Sequence, residues 1–190
     1  MARPLSEDKR TAILLAAAQW VAVEGPSART ARIAKSAGVA EGSIFTYFPT
    51  KDALLNELYL ALKREMGGAM LAGFQQRQDL PGRWEMIWNS YIDWSVGNDI
   101  KRRALRQLQV SETITPESRK RAFAAMETMA TALFDGPEAD IVRASSREFT
   151  AAVFEALAEM TIELIAKNPA EHDRLRRKGF ASFWRATGAE

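Results

Sequence analysis

The sequence predicts an all-α fold: a three-helix unit of helix-turn-helix type at the N-terminus, then a C-terminal helical bundle, about nine helices in all. Three observations lead there. Apolar residues recur at three- and four-residue spacing along most of the chain, with no alternating strand pattern bounded by hairpin turns. Glycine and proline fall between the periodic stretches, at Gly25-Pro26, Gly38, Pro49, Pro81-Gly82, Pro116, Gly136-Pro137 and Pro169, where they end one helix or open the next. Of the 190 residues, 47% are hydrophobic and 26% charged, the balance of a globular chain able to bury one large core or two smaller ones.

The first helix opens at Ser6, whose hydroxyl suits an N-cap. Glu7 and Asp8 lie at the positive end of its dipole, and Ile13, Ala16, Ala17 and Trp20 share one apolar face. Gly25-Pro26-Ser27 stops it. A short second helix places Ile33 and Ala37 inward and ends at Gly38, where a left-handed residue costs little. A third begins near Glu41 and is closed by Pro49. Thr50 caps a long fourth helix, which carries Leu54, Leu55, Leu58, Tyr59 and Leu62 toward Gly67-Gly68 or beyond.

Leu80-Pro81-Gly82 breaks the chain ahead of a helix with Trp84, Ile87, Trp88, Tyr91 and Trp94 on one face. Further helices start at Asn98-Asp99, at Thr115-Pro116-Glu117 with proline in the first helical position, and at Gly136-Pro137-Glu138, the last running to residue 167. Asn168-Pro169-Ala170-Glu171 has the form of a cap, a proline and a capping-box acid for the final helix. The domains expected from this order are residues 1–55 and residues 56–190.

Composition narrows the function. There is no cysteine, so neither a disulfide nor a thiol nucleophile is available. The first residues run into Glu7 and Asp8 before any long apolar core, and no window has the apolar length of a membrane span, so a cytoplasmic protein without a membrane partner is expected. The net charge is +2, and the whole surplus lies before residue 66, the right sign for a polyanionic partner although small.

The run from Gly38 to Leu55, GVAEGSIFTYFPTKDALL, is where chemistry concentrates. Two short helices meet there at a glycine turn, braced by a longer helix before them, which is the outline of a helix-turn-helix. In the third helix Ser43, Thr46 and Tyr47 share one side, while Ile44, Phe45 and Phe48 gather on the other and belong to a core. A helix with small and hydroxyl-bearing side chains suits a major groove, where Ser, Thr and Tyr reach base edges and glycine lets the backbone come close. Lys51 stands at the start of the fourth helix, where its ammonium and the exposed amides grip a phosphate. Arg29, Arg32 and Lys35 serve either the flanking phosphates or simply as a solvated face. The plainer alternative for the run is a capped turn, with Tyr47 and Phe48 as ordinary core aromatics.

Residues from about 10 to 56 resemble the DNA-binding domain of the tetracycline-repressor (TetR) family of bacterial regulators. The likeness is carried by Ile33-Ala34, Ala37-Gly38-Val39, Gly42-Ser43-Ile44-Phe45, Tyr47-Phe48 and Lys51-Asp52-Ala53-Leu54. It implies DNA contacts from the recognition-helix positions Glu41, Gly42, Ser43, Phe45, Thr46 and Tyr47, from Thr30 on the second helix, and from Lys51 to phosphate. Ala40 stands where the family often has a capping hydroxyl, Arg29 where a small hydroxyl residue is common, and Phe45 replaces a frequent tyrosine. Glu41 repels phosphate unless it faces a cytosine amino group.

The remaining two-thirds offers little for catalysis. The sole histidine, His172, has no cysteine partner, and no HExxH, ExxH or cysteine pair is present, so no catalytic residue, metal or cofactor is expected. Glu155, Glu159 and Glu163 repeat at helical spacing, as a solvated face does. Aromatic and methionine side chains are abundant instead. Most are core, yet such a bundle also suits an apolar or aromatic small molecule, with Trp88, Tyr91, Phe123, Met126 and Phe154 as candidate contacts. The resemblance implies an effector site in this same region. Phe149, Val153, Leu157 and Met160 on one helix, with Leu175, Phe180, Phe183 and Trp184 on the last, form apolar faces suited to a four-helix homodimer seam; docking of the last helix within the chain is the alternative.

Together these features lead to the expectation of a homodimeric, ligand-responsive repressor that binds a palindromic DNA operator and is released by an effector. Its rivals are a helical ligand-binding protein that has lost operator binding and a small helical enzyme.

Overall fold

The computed structural model describes residues 6–72, 79–124, 127–134 and 146–187. Every regular element among them is helical: α1 (Glu7–Glu24), α2 (Thr30–Ala37), α3 (Glu41–Tyr47), α4 (Lys51–Leu71), α5 (Leu80–Gly97), α6 (Asp99–Gln109), α7 (Pro116–Ala124), α8 (Glu127–Phe134), α9 (Arg147–Lys167) and α10 (His172–Ala186). The chain forms two compact units. One is built from Met1–Glu65 and Asn98–Phe123, the other from Met66–Gly97 and Ala124–Glu190.

In the first unit the punctuation acts as its chemistry dictates. Ser6 caps α1, its hydroxyl accepting from the Lys9 N–H. Gly25 ends that helix with φ of 70°, and Gly38 ends α2 with φ of 68°, both in the region where a Cβ is strained. At Gly38 the chain turns back on α2, with the Val39 N–H donating to the Ala34 carbonyl at 3.0 Å. Thr50 caps α4 by accepting from the Ala53 N–H at 3.0 Å. Thr115 caps α7 by accepting from the Ser118 N–H at 3.2 Å, with Pro116 in the first turn.

α1 packs against α2 and α6, and α2 against α3. Ile13, Ile33, Ile44, Phe48, Leu54 and Leu58 are buried there, and so are Ala104, Leu105 and Leu108 of α6. On α2 the inward residues are Ile33 and Ala34; Ala37 is only half-buried. Trp20, expected on the apolar face of α1, instead lies partly exposed and clamps α2 by donating from Nε1 to Ser36 Oγ at 2.8 Å.

The second unit is an aromatic bundle. Leu80 is the first residue of α5 and Pro81 sits in its first turn, so the expected break falls one residue earlier, at Asp79, which caps the helix by accepting from the Gly82 N–H at 3.1 Å. Trp84, Trp88, Phe154 and Phe183 are buried together; the Trp88 and Phe183 rings stack with centroids 5.8 Å apart. α10 comes so close that a Cβ on Gly179 would lie 2.4 Å from Thr161 Oγ1 and 2.7 Å from Trp88 Cζ2. The expected capping box before the last helix does not form. Pro169–Glu171 makes a short 3-10 turn, α10 starts at His172, and the Glu171 carboxylate accepts from Arg174. The start expected at Gly136-Pro137-Glu138 lies outside the described residues.

Candidate nucleic-acid interface

α3 is seven residues long, too short to stand without its neighbours, and it is held from three directions. Ile44 and Phe48, four residues apart, point inward and are fully buried. At its start Glu41 accepts a hydrogen bond from the Thr30 hydroxyl of α2 at 2.5 Å, which ties the two helices of the motif across the turn. At its end the Tyr47 hydroxyl accepts from the Ser6 N–H at 3.3 Å, joining α3 to the start of α1. Ala40 supplies no side-chain cap, so these contacts fix the helix instead.

What remains outward is a strip of Glu41, Gly42, Phe45 and Thr46. Ser43 and Tyr47 are half-buried beside it. Phe45 is 44% exposed and does not join the core face with Ile44 and Phe48. The reason is angular: Phe45 follows Ile44 by about 100°, so a face centred on Ile44 and Phe48 leaves it at the rim.

The cations around α3 differ in their commitments. Lys51, half-buried, opens α4 beside the capping Thr50. Arg32 forms an ion pair with Glu24 and stacks over the Trp20 ring, 5.1 Å from its centroid. This pins its stem along α1 and leaves further N–H groups of the guanidinium fork to donate elsewhere. Arg10 is turned inward, over the Phe48 ring at 5.4 Å and paired with Glu57 at 2.6 Å.

Several supports had no signal in the sequence. Asn56 on α4 is the clearest: Nδ2 donates to the Thr113 carbonyl at 2.9 Å, while Oδ1 accepts from the Thr115 N–H at 3.0 Å. It thereby holds the α6–α7 turn onto the helix that begins at Lys51. Arg119 secures the same turn by donating to the carbonyls of Gln109 and Ser111. A lone asparagine in an amphipathic helix reads only as a surface residue.

The residues considered for a ligand are brought together in part. Trp88 and Phe154 are buried with ring centroids 5.3 Å apart, and the half-buried Tyr91 meets Phe154 at 5.4 Å. The Trp88 indole N–H is taken by the Arg176 carbonyl at 3.0 Å. Phe123 is 66% exposed and belongs to the first unit, and Met126 lies outside the described residues. Of the residues considered for a dimer seam, Phe149 and Met160 are exposed on α9, as is Leu164, and Val153, Leu157, Leu175, Phe180 and Trp184 are half-buried. Phe183 is buried within its own unit, stacked on Trp88, and has no surface to offer a partner. Among the described residues no three metal-ligating side chains come together and no helix is long and apolar enough to cross a membrane.

Residues 13–58, which contain α2 and α3, match the sequence profile of the bacterial regulatory proteins of the tetR family. A protein from Shewanella sp. PV-4 assigned to the tetR family of transcription regulators is 28% identical, superposes with a TM-score of 0.80, and the match covers 94% of this chain and 97% of that one. The chain is thus similar to tetR family regulators, in sequence profile within its first third and in fold over nearly its whole length. The similarity of fold extends over nearly the whole length of further solved structures. A TetR family regulator from Marinobacter aquaeolei VT8 matches at TM-score 0.86 with 21% identity over 95% of each chain. The TetR-like regulator LfrR from Mycobacterium smegmatis, solved in complex with proflavine, matches at 0.68 with 21% identity, over 97% of this chain and 98% of that one.

Proposed function

We propose that this chain is a TetR-type repressor that binds a palindromic operator as a homodimer through α3 and leaves it when a small apolar or aromatic effector binds the second unit. The observation that carries this reading is the outer strip of α3: a short helix anchored from three sides, presenting Gly42, Phe45 and Thr46 with no cover among the described residues. A major groove admits one such helix. Lys51 at the start of α4, and Arg32 with Thr30 on α2, flank it and supply phosphate contacts that set register. The proposed domains are an N-terminal reading head, residues 1–55, and an effector and dimer region, residues 56–190.

Exposed Phe149, Met160 and Leu164 share one stripe of α9 at helical spacing, which fits a seam between two copies. Two copies place two recognition helices roughly 34 Å apart, on successive major grooves. The aromatic bundle around Trp88, Tyr91 and Phe154 suits a flat aromatic molecule, and LfrR was solved in complex with proflavine, which is flat and aromatic. Release requires that the effector bind the form that does not fit DNA more tightly than the form that does.

Fluorescence anisotropy on the DNA flanking the gene for this chain, with a salt series, tests the reading. Binding that falls steeply with salt, and whose preference over random DNA is lost in Thr46→Ala, is the expected result. Equal affinity for flanking and random DNA, unchanged by the substitution, overturns it.

A further inference from the structure

The outer strip of α3 has a chemistry of its own, and it limits which bases the helix can read. α3 is Glu-Gly-Ser-Ile-Phe-Thr-Tyr: it carries no arginine or lysine to fork onto guanine and no asparagine or glutamine to pair with adenine. Its outward side chains are a carboxylate at the first turn and, one turn later, an aromatic ring with the Thr46 hydroxyl beside it. Resting on the DNA-binding reading above, we propose that this face reads pyrimidines: Glu41 accepts from the exocyclic amino group of a cytosine, and Phe45 packs on the C5-methyl of a thymine in the same half-site.

A carboxylate gains nothing from a phosphate and is repelled by every acceptor in the groove. Guanine shows two acceptors there, thymine shows a carbonyl, and adenine sets its amino donor beside the N7 acceptor. Cytosine alone presents an amino donor with no acceptor next to it on its own edge. Glu41 is also oriented for such a task. Its Oε1 accepts from the Thr30 hydroxyl at 2.5 Å, which fixes the rotamer, and the second oxygen is left to accept from the base. Thr30 is thus a positioning residue for base choice.

Phe45 is 44% exposed although Ile44 beside it and Phe48 just past the end of the helix are completely buried. An aromatic edge standing out of a reading helix matches the one apolar group in the major groove, the thymine methyl. Glu41 and Phe45 are four residues apart, about 6 Å along the helix axis, so the cytosine and thymine fall within about two base-pair steps of each other.

The test starts with selection of binding sites from a random duplex library by the full-length chain. Enriched half-sites containing a cytosine and a thymine within about two base pairs are expected. In titrations on that site, replacing the thymine by uracil, which removes only the methyl, weakens wild-type binding about fourfold and leaves Phe45→Ala unaffected. Glu41→Gln loses the cytosine preference by about tenfold or moves it to adenine, and Thr30→Val relaxes base choice at that same position more than at its neighbours. Enriched sites at which uracil has no effect, or at which Glu41→Gln keeps the cytosine preference, overturn the inference while leaving DNA binding intact. Absence of any enriched site overturns it together with the reading on which it rests.

Discussion

At the scale of single residues, two glycines show how the same absence of a side chain serves different ends. Gly179 is a packing glycine: any Cβ there meets Thr161 and the fully buried Trp88, neither of which has room to give. Gly179→Ala is expected to cost about 1–3 kcal/mol by overpacking, seen as a lower urea midpoint. Gly42 meets nothing within 4 Å and lies inside α3, so Gly42→Ala is expected to keep or raise stability by up to about 1 kcal/mol while weakening binding to specific DNA through the added bulk. A loss of stability at Gly42, or none at Gly179, would contradict these assignments. Glycine at Gly38 was legible because it ended a helix. Gly179 was not, since nothing in a helical stretch announces what crosses it.

Elements were legible where their ends carry local chemistry. Ser6, Gly38, Thr50 and Thr115-Pro116 each mark a boundary through a hydrogen bond or a backbone angle that depends on a few neighbouring residues. Faces were legible on long helices such as α4 and α5, where several turns vote together. They were less so on α3, because two turns leave the rim residue Phe45 undecided between core and surface. The Asn56 link is of a third kind, joining residues more than fifty positions apart, and no local pattern encodes it. Asn56→Ala leaves the Thr113 carbonyl and the Thr115 N–H without that side chain and is expected to destabilise the first unit by about 1–3 kcal/mol. Hydrogen exchange checks the locality: the Thr115 amide should exchange faster in the variant, and an unchanged rate would show that the turn is held by other contacts.

For the whole molecule, the account rests on α3 as a reading helix in a pair. The absence of cysteine makes a direct measurement possible: Ala40→Cys introduces a single thiol at the start of α3, at an exposed position that makes no side-chain cap, to which an iron–EDTA cleavage reagent can be attached. On the DNA site selected by the full-length chain, the tethered reagent should cut within two major-groove segments related by two-fold symmetry and centred about one helical turn apart. Cleavage spread evenly along the duplex, or confined to one segment with no symmetric mate, would contradict a dimeric reader that places α3 in the groove.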